Sequence, residues 1–187
     1  LEKLKINSLN FPCILKPKIG WGMRGFYFVK NLIELRILYK KINKKKFIMQ
    51  EYIRSNQQNI YAVGLLFDKN SNCKLDYCSK STSTKYKLGG PATSGIIVKN
   101  RYLVSESIRL IKGLKNWSGP AMVEWIYSKK KNKFYLIDLN PRLWGYSILG
   151  TYNGLNFAEN IVRILDNKKI IIKKVKKYKS FYRDFIN

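Results

Sequence analysis

The sequence contains no histidine, and its 11 acidic residues face 37 lysines and arginines, for a formal net charge of +26. Without histidine, His-based catalytic triads and His-ligated zinc are excluded. Cysteine is scarce. Cys13, Cys73 and Cys78 make an odd count with no metal-like spacing, which points to reduced thiols and a cytoplasmic setting. No run of about eighteen apolar residues occurs, so no membrane-spanning helix is expected. No signal peptide is visible either. The chain opens on leucine and not methionine, so it reads as a segment of something longer.

What is abundant is lysine. A basic surface can neutralise nucleic-acid phosphates and release their counterions. Lysine, asparagine and isoleucine are common throughout, however, as an AT-rich coding sequence would produce. The lysines are dispersed and gather in apparent loops such as 44–46 and 129–131. Specific nucleic-acid binding is therefore not expected, although such a field would attract ATP. At 187 residues and 45% hydrophobic, the chain is long enough for one domain or two small lobes with a real core.

The most informative stretch is Phe-Tyr-Leu-Ile-Asp-Leu-Asn-Pro-Arg-Leu-Trp-Gly at 134–145. Residues 134–139 read as a largely buried strand, interrupted by an acid and ended by Pro141. Strand alternation predicts that Leu136, Asp138 and Asn140 share a face. Residues 121–127 form a second apolar strand carrying Glu124, and the polar residues 128–133 between them read as a hairpin loop. A turn centred on Lys131 would set Glu124 across from Asp138, with Cβ atoms about 4.5–5.5 Å apart. Like charges so placed repel, and a divalent cation would relieve both. With the Asn140 amide oxygen they form a hard, all-oxygen set suited to Mg²⁺ or Mn²⁺. The plainer alternative is a strand end whose acids pair with nearby lysines or arginines.

Upstream, an apolar strand at 11–17 enters Lys18-Ile-Gly-Trp-Gly-Met-Arg-Gly25. Gly20, Gly22 and Gly25 would let the backbone approach phosphate oxygens, and Arg24 or Lys18 could add charge. The spacing is neither a Walker A nor a Rossmann fingerprint. Asn31 is a candidate cap for a helix that runs to the lysines at 44–46, and residues 47–53 form a strand. Strands are predicted at 60–67 and 74–79. A long polar loop follows at 81–95, then an amphipathic helix over 102–114. A helix over 157–165 is capped by Asn156.

Glu124 followed by Asp-x-Asn-Pro-Arg at 138–142 resembles the metal-binding end of the ATP-grasp superfamily of carboxylate–amine and carboxylate–thiol ligases. Asp138 stands where glutamate is commoner in that family. Phe-Pro-x-x-x-Lys-Pro at 11–17 before a glycine loop is similar to the family's phosphate-covering flap. Trp144-Gly145 and Asn-Gly-Leu-Asn-Phe-Ala at 153–158 resemble its carbamoyl-phosphate-synthetase-like branch. The resemblance runs from about residue 11 to residue 165.

It implies an α+β fold, with a small flap lobe over 1–52, incomplete at its N-terminus, and a larger antiparallel sheet with helices over 53–187. ATP would lie between the lobes. Lys16 would hold the phosphates while Gly20, Gly22 and Gly25 close over them. Gln50, Glu51 and Ile53 would receive adenine, with Asn59 a candidate ribose contact. Glu124, Asp138 and Asn140 would hold the metal. Arg142 would steady the reacting acyl phosphate, and Lys85 or Lys87 would face that phosphate and the acceptor.

The implied reaction is ATP- and Mg²⁺-dependent ligation: a substrate carboxylate becomes an acyl phosphate, which an amine or similar nucleophile then attacks. Family members carry an N-terminal domain before this segment, so a partner domain or chain is expected to supply it. Two alternatives stand beside this one: a nucleotide-binding module without catalysis, and a basic nucleic-acid-binding protein.

Overall fold

The computed structural model describes residues 10–20, 22–54, 59–86, 89–174 and 181–183. The chain divides into two compact units, Leu1–Arg54 and Ser55–Asn187.

The smaller unit is a three-stranded antiparallel sheet in the order β2-β1-β3, from β1 (Cys13–Pro17), β2 (Tyr27–Val29) and β3 (Phe47–Glu51). One helix, α1 (Leu32–Lys41), packs on it. Its start follows from side-chain chemistry. Asn31 accepts the Glu34 N–H at 3.0 Å, and Glu34 reaches back to the Lys30 N–H at 2.8 Å. The first bond satisfies one of the donors a helix start leaves without backbone partners, and the second ties the residue before the cap to the first turn. Strand alternation sorts the sheet into two faces. Cys13, Leu15 and Val29 are buried against Leu35 of α1. Ile14, Lys16, Ile48 and Gln50 fall on the other face by register.

The larger unit is a six-stranded antiparallel sheet in the order β8-β7-β4-β5-β6-β9. Its strands are β4 (Ile60–Phe67), β5 (Cys73–Tyr86), β6 (Gly89–Val98), β7 (Gly119–Ser128), β8 (Lys133–Asn140) and β9 (Phe181–Arg183). Helix α2 (Arg101–Gly113), capped by Asn100 on the Leu103 N–H at 3.1 Å, covers one face. There Val63, Leu65, Phe67, Cys78, Ala121 and Val123 meet Leu103, Val104 and Ile111. The opposite face packs Ala62, Leu66, Leu75, Tyr77 and Met122 against Trp144, α3 (Ile148–Tyr152) and α4 (Phe157–Leu165). The fold is α+β. No helix among the described residues is long and apolar enough to cross a membrane.

Two sequence expectations fail here for physical reasons. Residues 81–95 are not a loop: β5 and β6 continue through most of them as an antiparallel arm with three register irregularities. Alternating serine and threonine side chains sustain it. Thr82 and Ser83 each share a hydrogen bond with the Ser94 hydroxyl, at 2.6 and 2.7 Å, and Ser83 shares another with Thr93 at 2.7 Å. Composition alone concealed these cross-strand pairs. Likewise, β8 is an edge strand and not a largely buried one, with Leu136 and Asp138 both exposed.

Candidate functional site

Most of the candidate acidic and basic groups of the larger unit gather at the end of β8. The register pairs Glu124 with Asp138, Leu139 with Val123 and Asn140 with Met122. The hairpin that creates this pairing differs from a simple one. Ser128 pairs with Lys133 and Trp125 with Leu136, so the turn centres between Lys130 and Lys131. A bulge at Ile137 then offsets β8 by one residue. Without it, Ile137 would face Glu124.

The same bulge overturns the expected alternation. Leu136 goes with Trp125, toward α2, whereas Asp138 and Asn140 go with Glu124 and Met122, on the opposite face. A bulge is invisible to a period-two pattern. Asp138 is exposed and Glu124 half-buried.

Asn140 is buried and holds this corner together. Its Nδ2 donates to Glu124 Oε2 at 3.3 Å, and its Oδ1 accepts from Arg142 Nη2 at 3.1 Å. Arg142 Nη1 also donates to the Leu143 carbonyl at 3.0 Å, and Asp138 Oδ1 accepts the Leu139 N–H at 3.0 Å. Among the described residues no group of three or more His, Cys, Asp or Glu side chains converges. Two facing carboxylates with one adjacent amide suit a hard cation that takes its remaining ligands from water and phosphate, the usual habit of Mg²⁺.

Two residues past Arg142 the chain dives into the core. Trp144 is buried, and its indole Nε1 donates to the Tyr77 hydroxyl at 3.1 Å. Its ring meets Phe157 edge-on, with centroids 5.2 Å apart. It lies on Gly64 of β4, where a Cβ would come within 2.4 Å of Trp144 Cζ2. Only glycine leaves room for the indole there. Asn140 and Trp144 thus pin the backbone on either side of Arg142. Sequence reasoning missed this anchor. The one available sign was a glycine inside the apolar strand 60–67.

Beside Glu124, a small notch is lined by Ile60, Ala62, Ser79, Ser81, Gly95 and Tyr146, among others. Ala62 pairs with Glu124, so the notch adjoins the acids. Asn59, buried, precedes β4 at the same end. Lys85 lies apart: β5 leaves β4 after Lys80, and Lys85 is an exposed residue on the arm beyond. Lys87 lies outside the described residues.

In the smaller unit, Lys16 pairs with Ile48 and Gln50 with Ile14, which makes Lys16 and Gln50 diagonal neighbours on the face away from α1. Glu51 ends β3 and Ile53 follows it. Gly20, Gly22 and Gly25 belong to the turn joining β1 and β2. Gly22 and Gly25 take φ of +62° and +71°, and a Cβ at Gly25 would meet Pro17 Cγ at 3.0 Å. The turn demands glycine at 25 on both counts.

A sequence profile of the ATP-grasp domain matches residues 1–146. The chain belongs to the ATP-grasp family. Among curated ATP-grasp relatives, acetyl-CoA carboxylase 1 of Arabidopsis thaliana is 30% identical over 144 residues, which is 72% of this chain and 6% of that protein. Biotin carboxylase from Campylobacter jejuni, solved as a β-γ-ATP complex, superposes with a TM-score of 0.72 at 18% identity, over 89% of this chain and 40% of that one. The biotin carboxylase domain of Hydrogenobacter thermophilus 2-oxoglutarate carboxylase, solved with MgADP and bicarbonate, gives 0.68 at 17% identity, over 91% and 39%. This ATP-grasp chain therefore spans a small part of the curated carboxylases and about two fifths of the solved ones.

Proposed function

We propose that this chain carries the nucleotide- and cation-binding part of an enzyme that uses ATP to activate a carboxylate, bicarbonate included, for attack by an amine or similar nucleophile. The observation that carries the proposal is the facing of Glu124 and Asp138 beside the linked Asn140 and Arg142. Membership of the ATP-grasp family supports it.

The lobes divide near residue 52. Lys16 binds the terminal phosphates, with Gly20, Gly22 and Gly25 offering backbone N–H groups. Gln50, Glu51 and Ile53 meet adenine, and Asn59 the ribose. Glu124, Asp138 and Asn140 hold Mg²⁺ or Mn²⁺, which when bound neutralises phosphate charge. A carboxylate oxygen attacks the γ-phosphorus, and the electron pair of the breaking P–O bond leaves with ADP. Arg142 and Lys85 balance the charge of the acyl phosphate. The nucleophile then displaces inorganic phosphate. A further domain or chain supplies the N-terminal part and much of the substrate selectivity.

The test is ADP release with Mg-ATP over a panel of carboxylates that includes ¹⁸O-labelled bicarbonate. Activation as an acyl phosphate transfers one labelled oxygen to the released phosphate. Nucleotide binding without substrate-stimulated turnover would leave a non-catalytic module instead. Duplex or single-strand binding that is sequence-selective at near-physiological salt, with no response to Mg-ATP, would favour the nucleic-acid alternative.

A further inference from the structure

Asn140 is 9% exposed, while Asp138 and Arg142 on either side of it are exposed. Its carboxamide spans two groups of opposite charge, Nδ2 to the Glu124 carboxylate at 3.3 Å and Oδ1 to the Arg142 guanidinium at 3.1 Å. A carboxamide has one donor end and one acceptor end, so these neighbours dictate its orientation. Turned over, it would set oxygen against carboxylate and NH₂ against guanidinium. A divalent cation at Glu124 inverts that preference, because only the oxygen end can face a cation. The backbone need not move, since Asn140 and Trp144 are both buried.

We propose that Asn140 is a positioning residue for Arg142, and that its carboxamide couples the guanidinium to the state of the carboxylate pair. Without a cation, the amide tethers Arg142 beside Glu124. With one held by Glu124 and Asp138, the amide turns its oxygen inward and Arg142 is released. The inference rests on the assignment of those two carboxylates as cation ligands. Its consequence is reciprocal: a cation on the acids and an anion on Arg142 each favour the other.

The test is a Mg²⁺ titration of the ¹⁵N-labelled 187-residue chain, without nucleotide, followed by NMR. The Asn140 side-chain NH₂ and the Arg142 Nε–H are identified by their loss in Asn140→Ala and Arg142→Lys. Both signals are expected to move with one Mg²⁺ midpoint. A double-mutant cycle separates the tether from simple charge. Arg142→Met should tighten Mg²⁺ about fivefold with Asn140 present, the worth of one hydrogen bond of ordinary strength. In the Asn140→Ala background the gain should be less than about twofold, because only the long-range charge effect remains. Equal tightening in both backgrounds overturns the proposal, as does Mg²⁺ saturation with an unmoved Arg142 signal. No Mg²⁺-dependent shift at the Glu124 and Asp138 amides overturns the cation assignment itself, and this proposal with it.

Discussion

The two faces of the six-stranded sheet are built from the same strands but do different work. Toward α2, β4 and β7 present an apolar face from Tyr61 and Trp125 to Phe67 and Ala121, with Asp76 and Lys80 of β5 beside it. A chief polar contact there is the Trp125 Nε1 donating to Ser107 Oγ at 2.9 Å. The opposite face changes character along the strands. Leu66, Leu75 and Met122 lie under Trp144 and Phe157, and beyond them come Ser79, Ser81, Glu124, Asp138 and Asn140. One face supplies stability; the other supplies stability at one end and carries the proposed cation site at the other. Mutations should separate the two roles according to face and end.

The largest effects should fall on the apolar parts. Phe67→Ala, on the α2 face, should cost about 3–5 kcal/mol by denaturant unfolding and leave Mg-ATP affinity unchanged in the folded fraction. Gly64→Ala, beneath Trp144, should cost about 1–3 kcal/mol or more, since its Cβ would stand 2.4 Å from the indole. It should also weaken Mg-ATP, because displacing Trp144 displaces Arg142. If Gly64→Ala left Mg-ATP binding intact, the aromatic anchor would be unconnected to the site.

At the polar end the pattern should reverse. Asp138→Asn and Glu124→Gln are each expected to weaken Mg²⁺-dependent ATP binding by about tenfold or more, measured by calorimetry. Stability should change by no more than about 0.5 kcal/mol, as for other partly exposed sites. Unchanged affinity in both variants would remove the cation assignment. In the smaller unit, Lys16→Ala should weaken ATP far more than AMP. Equal losses for the two nucleotides would make Lys16 structural.

The first residues to betray their roles in the sequence were those whose chemistry is local. Asn31, Asn100 and Asn156 cap helices through contacts three residues away, and two of those caps were legible directly. The acid pair was legible because hairpin pairing is also local, though its true cause is not: the expected turn at Lys131 is displaced, and the Ile137 bulge restores the pairing. The Trp144–Tyr77–Gly64 contact joins residues 67 and 80 positions apart in sequence, beyond the reach of any period or spacing. The hydroxyl ladder of the β5–β6 arm failed for a related reason. Serine and threonine between glycines resemble loop composition until their cross-strand partners are known.

Smaller effects sharpen the contrast further. Tyr77→Phe removes the acceptor of the Trp144 indole and should cost about 1 kcal/mol, read from urea unfolding. The thiols should show the least. Burial pushes Cys78 up to about 12 and Cys73 to about 11, the latter helped by the Asp76 carboxylate. Both stay protonated in the fold where an unfolded chain would ionise. Their stabilising contribution is therefore complete below about pH 8.5 and declines as the pH rises from there toward 11–12. Iodoacetamide at pH 8 should label Cys78 slowly in the folded chain, as followed by mass spectrometry. Rapid labelling would mean that the α2 face opens readily.

The bulge at Ile137 makes the site respond to deletion in a way that substitution would not reveal. Parity along β8 decides which side chains meet Glu124. Removing Ile137 should restore an unbroken ladder and keep the acids facing each other, because Asp138 then follows Leu136 directly and still pairs with Glu124. Composition and charge would hardly change, and every acid would remain. A frame-preserving deletion of the Ile137 codon should therefore leave cation binding in place, unlike the loss of both carboxylates. Conversely, deleting Leu139 should set Asn140 against Val123, on the α2 side, and break its hydrogen bonds to Glu124 and Arg142.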